Sequence, residues 1–362
     1  MNDLDRDVSE WTLEKALAAI RPADQAIMDE IWALWDKKAI PLRSLGRLEE
    51  MVVRLGGIYR TTRPETGKRA VIVMAADNGV IEEGVAQSDC HVTSTVTCNM
   101  TGENATVSIL ARMNGADVVP VDIGMKDTVD CPGVWPRKIC NGTKNMTKGP
   151  AMSRQEAVRA IETGIDVVAR LAGEGYGMFA TGEMGIGNTT TSSAMAAVYL
   201  GCSPEMVTGR GAGLTSDGLE RKVAAIHKAI EVNAPNGDDP LDVLSKVGGL
   251  DIAGLTGCFL GAAALGLPIV IDGFISSIAA MTAIRMAPDC RDYIFPSHVS
   301  AEPAGQRILD ALGMEAYIHG GMRLGEGTGA VTAFHLFDTA LEAYYHIPEF
   351  EQAKIPVYTH LK

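Results

Sequence analysis

The run "RAVIVMAADNG", Arg69 to Gly79, decides the fold class. Apolar and β-branched residues continue without a break to Ala76 and stop at Asp77-Asn78-Gly79, the pattern of a buried parallel strand that delivers a polar loop. Comparable units follow at "ADVVPVDIG", "YGMFATGEMG", "LPIVIDGF" and "DYIFPSH". Helical patterns separate them, for example Arg154–Leu171 and Leu219–Val232. Strands that alternate with helices predict βαβ units. The expected fold is therefore α/β, a Rossmann-like parallel sheet with helices on both faces and ligands outside the carboxyl ends of the strands. The residues just after each strand become the candidate site: Asp77, Asp122, Glu183, Asp272 and Ser297 or His298.

Working outward, the first ~60 residues read as helical. "EWTLEKALAAI" and "ADQAIMDEIWALWDKKA" carry amphipathic spacing on either side of Pro22. In "SLGRLEEMVVRLGGIYR", Ser44 is the expected N-cap, with Arg47 and Glu49 on the exposed side. The end of the chain, "FHLFDTALEAYYHIPEFEQ", returns to a helical pattern. Residues 1–60 with 335–362 are expected to form a small helical domain, and residues 61–334 an α/β catalytic domain. From Ile252 to Ile271 twenty residues carry no charge, the length of a membrane span, but Pro268 cuts the run and glycines dilute it. The reading is a buried helix, a short turn and a central strand, with no membrane partner.

A net charge of −13 on 362 residues, with no basic stripe, argues against nucleic acid as a partner. The seven cysteines are scattered, with no C-x-x-C pair, so reduced thiols in a cytoplasmic protein are expected, and neither a disulfide scaffold nor a metal site.

"TGEMGIGNTTTSSAMAAVYLG", Thr181 to Gly201, is the leading anion-binding candidate. Glycines follow a strand and open a helix at Asn188 or Thr189, where free N–H groups and the helix dipole favour a phosphate. Its spacing matches no nucleotide fingerprint. "TGRGAGLTSDGLERK" could form a second nest, with Lys222 as a point charge. Each cluster also reads as a tight turn before a capped helix. Glu183 and Glu326 both lie among glycines, either as loop charges or as a general base whose pKa a closed apolar site would raise.

The segments "SLGRLE", "AADNGV", "GEMGIGNTT", "DVLSKVGGLDIAGLTG", "IDGF", "PSHVSAE" and "MRLGEGTGA", in that order, resemble the nicotinate-nucleotide–dimethylbenzimidazole phosphoribosyltransferase family, which activates the lower ligand of cobamides. The resemblance covers roughly residues 40 to 340. It implies an enzyme without a cofactor, with nicotinate mononucleotide and an aromatic acceptor as substrates. It also implies a homodimer, or a heterodimer with a paralogous subunit. By the same resemblance Glu326 is the general base and Glu183 a second carboxylate near the ribose. Gly185, Asn188, Thr189, Gly211, Lys222 and Ser300 surround the nucleotide, and Asp272, Gly273 and Arg323 line it. Ser88, Val96, Met184 and Leu324 form the acceptor pocket.

Three departures stand out. Leu42 and Arg43 replace the family's Pro and Gly, and Asn78 replaces a His. Val96 replaces a glutamine that faces the acceptor in benzimidazole-using members. A valine cannot hydrogen-bond a polar ring edge, so the expected acceptor shifts toward a phenol or p-cresol. Two other readings stay open: a non-catalytic partner subunit of a paralogous enzyme, or a nucleotide-phosphate binding module.

Overall fold

A computed structural model describes residues 11–128 and 130–358. Among the described residues, six strands form one sheet: β1 (Lys68–Ala76), β2 (Ala116–Gly124), β3 (Trp135–Pro136), β4 (Tyr176–Met184), β5 (Ile269–Ile271) and β6 (Ile294–Pro296). Their spatial order is β3-β2-β1-β4-β5-β6, and every neighbouring pair is parallel. The chain works outward from β1 to β3, then returns to lay β4 against the other side of β1. Connections diverge at that point, which opens a crevice at the carboxyl ends of β1 and β4. The register sets Met74 beside Glu183 and Ala75 beside Met184, so Asp77 and the end of β4 reach the same edge.

Beyond Lys68, β1 is buried along its whole length, as its uninterrupted apolar run requires. One face is covered by α10 (Leu250–Leu265), where Gly254 lies so close to the sheet that a Cβ would stand 2.7 Å from Ile123 Cδ1 and 3.0 Å from Met74 Sδ. The other is covered by α13 (Thr328–His346), preceded by Gly327, which packs on Val71. The uncharged run thus forms α10, a turn and the inner strand β5, and α10 is sandwiched between the sheet and α6 (Arg154–Gly173). Among the described residues no helix is long and apolar enough to cross a membrane.

The N-terminal helices α1 (Leu13–Ala19), α2 (Gln25–Trp35) and α3 (Arg47–Tyr59) meet the end of the chain. Trp35 and Tyr344 have ring centroids 5.1 Å apart, and the Ala39 N–H donates to the Pro348 carbonyl at 2.9 Å. Helix α13 runs unbroken through residue 335, joining the carboxyl edge of the sheet to these helices.

Three local readings are corrected. Helix α3 is capped by Gly46, not Ser44, because the chain enters it through a left-handed turn at φ +54°. Glu49 is buried rather than exposed, since its carboxylate folds back to accept the Leu45 N–H at 3.0 Å. Arg47 likewise turns inward and donates to the Ala316 carbonyl at 2.7 Å. Asp122 and Glu183 lie inside β2 and β4, because both strands continue to Gly124 and Met184.

Candidate active site

At the crevice, β4 ends in Glu183 and Met184, and Gly187, at φ +93°, swings the chain into α7 (Asn188–Leu200). The Asn188 side-chain amide donates to Glu183 Oε2 and, at 2.9 Å, to Asp251 Oδ2 in the first turn of α10. Gly185 permits this crowding, since a Cβ there would stand 3.1 Å from Asp251 Oδ2 and 3.3 Å from Asn188 Nδ2. Burial pushes the Glu183 carboxyl up to about 8, with the negative charge of Asp251 adding to the rise and the Asn188 amide opposing it. At neutral pH Glu183 is therefore mostly a neutral carboxylic acid. Asp251 is raised by burial to about 6, against the same amide.

Opposite Glu183 stands Glu326. Gly325, Glu326 and Gly327 take φ values of +87°, +63° and +92°, three left-handed residues in succession. Only the middle one carries a side chain, and it bears the steric cost of that conformation. The flanking glycines are required by close approach: a Cβ on Gly325 would collide with Glu183 Oε1. On the facing strand, a Cβ on Gly182 would stand 2.5 Å from the Glu326 carbonyl oxygen. Asp272 fixes the turn from beneath. Its Oδ2 accepts the Gly327 N–H at 3.1 Å, and its Oδ1 accepts those of Gly329 at 2.7 Å and Ala330 at 3.1 Å. The aspartate expected to line the nucleotide thus has both oxygens committed to the start of α13. Glu326 Oε2 is buried without a hydrogen-bond partner. Burial raises its pKa, opposed by the backbone N–H of Val107 in the first turn of α5 (Thr106–Met113), a helix start with no side-chain cap.

A second cluster adjoins the start of α7. Lys222, on α8 (Ser216–Asn233), is fully buried and donates to Thr189 Oγ1 at 2.9 Å and to the Gly209 carbonyl at 3.0 Å. A Cβ on Gly211 would stand 2.8 Å from Thr189 Oγ1 and 3.5 Å from Lys222 Nζ, so the absent side chain keeps this corner open. Burial lowers Lys222 to about 8, with Glu302 acting in the opposite sense. Gly273 and Ser300 are neighbours across the loops after β5 and β6, with His298 beside them.

The acceptor-pocket candidates are less tightly grouped. Helix α4 (His91–Asn99) is tied to the β4–α7 turn by Thr93 Oγ1, which accepts the Ile186 N–H at 3.2 Å. Val96, three residues on and half-buried, shares that side of the helix, and Met184 is half-buried at the end of β4. Ser88 lies exposed on the loop before α4. Arg323 and Leu324 are exposed ahead of the Glu326 turn.

Sequence reading missed Asp251 and Thr93. A signal for the first existed: Asp251 is the only charge between Lys246 and Arg285 apart from Asp272. Among the described residues no group of three or more His, Cys, Asp or Glu is disposed to hold a metal ion.

The family model for phosphoribosyltransferases of the DBI_PRT type matches residues 20–355. The chain belongs to this phosphoribosyltransferase family. A relative from Ruminiclostridium cellulolyticum, named nicotinate-nucleotide–dimethylbenzimidazole phosphoribosyltransferase, is 50% identical over 351 residues, covering 97% of this chain and 100% of its own. One of the same name from Acetivibrio thermocellus is 50% identical over 331 residues, with 91% and 94% covered. Among solved structures, CobT from Thermus thermophilus superposes with a TM-score of 0.87 at 37% identity, over 91% of this chain and 99% of that one. Both glycine-framed carboxylates of this phosphoribosyltransferase therefore sit in a fold shared almost end to end with its relatives.

Proposed function

We propose that the protein transfers the 5-phosphoribosyl group of nicotinate mononucleotide to an aromatic acceptor, releasing nicotinate and forming an α-riboside phosphate for cobamide biosynthesis. The observation that carries this reading is the pairing of Glu326 with a largely neutral Glu183 across the Gly325 contact. A neutral carboxylic acid facing a second carboxyl group suits a division into an acid and a base role. Lys222, Thr189 and the glycines around Gly211 offer a phosphate corner one residue from Asn188.

The nucleotide's ring nitrogen is already cationic, so the bond from N1 to C1′ breaks with its electron pair returning to nicotinate. A lone pair of the acceptor forms the new bond to C1′ from the opposite face, which inverts a β-nucleotide to an α product. The acceptor's proton passes to Glu326, whose buried Oε2 has no hydrogen-bond partner. Glu183, as a neutral acid, donates a hydrogen bond to the ribose and adds no second negative charge beside Glu326. The acidic surroundings, including Asp251 and Asp272, favour positive charge developing on the ribose.

A phenol or p-cresol acceptor is favoured by one observation, the apolar and half-buried Val96 on α4. A phenol's proton, with a pKa of about 10, asks more of the base than an azole's. A dimer is part of this proposal, formed by two copies or with a paralogous subunit. The test is nicotinate release by the purified chain over a panel of benzimidazoles and phenols, with and without a co-expressed paralogue. Glu326→Gln should lower kcat/KM by about 10²–10⁴-fold with every acceptor. Full activity of that variant in the complex with the paralogue, but not alone, would show that the other subunit performs the reaction.

A further inference from the structure

We propose that Asp251 is a positioning residue for Glu183, and that the Asn188 amide held between their carboxyl groups transmits the charge and orientation of Asp251 to the group facing Glu326. This rests on the proposed transfer reaction. Glu183 Oε2 and Asp251 Oδ2 share one –NH2 group as acceptors, and with both hydrogens committed the Asn188 amide is fixed in rotation. Any displacement of Asp251 is then felt by Glu183, whose other oxygen already presses on Gly325.

Asp251 continues into a second contact on its far side. Its Oδ1 and the Asn78 Oδ1 are both buried without a donor, and both crowd Gly249, where a Cβ would stand 2.7 Å from Asn78 Oδ1. Asn78 at present donates only a long 3.5 Å bond to the Ile186 carbonyl. Turning its amide over would aim an N–H at the side where Asp251 Oδ1 lies, in exchange for that long bond to Ile186. The hydrogen-bonded array runs from Asp251 on α10 through Asn188 on α7 to Glu183 on β4, with Asn78 after β1 beside it across Gly249. It spans the sheet at its switch point.

The charges that bear on Glu183 are those of Asp251 on α10, Asp272 after β5 and Glu326 before α13, all acidic, with Asp77 acting on Asp251 from the end of β1. Asp272 is held by backbone N–H groups and His298, so Asp251 is the acid coupled to Glu183 through a single shared donor. Removing its charge makes Glu183 easier to ionise. Removing the Asn188 donor makes it harder.

The two changes should therefore move the basic limb of the kcat profile for nicotinate release in opposite directions. Asp251→Asn should shift it about one pH unit lower, and Asn188→Ala should shift it higher. A variant that merely loosened the fold would move neither limb in a charge-dependent sense. Limbs that stay at the wild-type position, or move the same way in both variants, overturn the proposal. If the wild type releases no nicotinate at any pH, the transfer reaction itself fails. The positioning role is then read directly by infrared titration of the protonated-carboxyl band that Glu183→Gln removes. That band should titrate lower in Asp251→Asn and higher in Asn188→Ala. An unmoved band in either folded variant overturns it.

Discussion

The carboxyl group of Glu183 occupies the space that a side chain on Gly325 would need. The strand-borne and loop-borne acids are thus locked together by the absence of one methyl group. Gly325→Ala should lower kcat by about 10²-fold, the usual cost of misplacing a reacting group by about 1 Å. Gly321 supplies the control, since it has the same kind of left-handed backbone, φ +63°, with nothing within 4 Å of a Cβ. Gly321→Ala should cost about 1 kcal/mol of stability and leave kcat near wild type. Equal losses of kcat in both variants would mean that backbone strain, not the Glu183 contact, explains Gly325.

Lys222 is buried with a hydroxyl and a carbonyl for partners, and its pKa near 8 makes its charge conditional. In the free enzyme it is protonated below that pH and neutral above it. The KM for nicotinate mononucleotide should therefore rise as pH passes through about 8 in the wild type. Lys222→Met keeps the volume and removes the charge. It should raise KM by about 10–100-fold at neutral pH, the worth of a charge-assisted hydrogen bond, with kcat much less affected. Steady-state kinetics over a window of roughly one pH unit on each side of that value check both, since a single group completes most of its titration within it. A KM that is flat in the wild type and unchanged in the variant would remove Lys222 from the phosphate site.

The sheet was legible because its strands announce themselves: "RAVIVMAADNG" is an apolar run ending in polar turn residues, and β1 and its polar exit fall on it. The β4–α7 turn was legible for a similar reason, as glycines between a strand and a helix have few structural uses. Asp251 was not, because one acid at the head of an apolar helix looks like ordinary favourable placement at a helix N-terminus. Its significance arises only when α10 meets the start of α7, through a bond from Asn188 to Asp251 across 63 positions of chain that no local pattern encodes. Asp272 shows the converse. Its burial was legible, whereas its partners, the N–H groups of Gly327, Gly329 and Ala330, carry no side-chain signature at all.

Val96 offers the sharpest test of acceptor choice, because it can be changed without touching either carboxylate. It shares a helix side with Thr93, which is bonded to the β4–α7 turn, and a glutamine there would place an amide where the chain now has two methyl groups. Val96→Gln should raise the ratio of kcat/KM for benzimidazole over phenol by about 10–100-fold, the range open to one added polar contact. Competition assays with equimolar acceptors measure that ratio. An unchanged ratio would place acceptor selection elsewhere, for instance at Ser88 or Leu324.

Glu183 should also leave a mark on stability. Its carboxyl titrates near 8 in the folded chain and near the ordinary glutamate value of 4.5 when unfolded. Between those values the folded state holds a proton that the unfolded state has released. Stability contributed by the group is therefore fully present below pH 4.5 and is lost as pH rises toward 8. The loss has a limiting slope of about 1.4 kcal/mol per pH unit and totals on the order of a few kcal/mol. Asp251 adds a smaller term of the same sign that ends near 6. Glu183→Gln keeps the shape and an acceptor for the Asn188 amide but has no proton to lose. Its melting temperature should fall less steeply with pH than that of the wild type and exceed it at pH 8. At low pH, where wild-type Glu183 is neutral anyway, the two proteins should melt within a few degrees of each other, about the shift 1 kcal/mol produces in a large domain. Parallel melting curves across the whole range would mean that Glu183 ionises as readily in the folded chain as in the unfolded one. The acid–base division between Glu183 and Glu326 would then lose its physical basis.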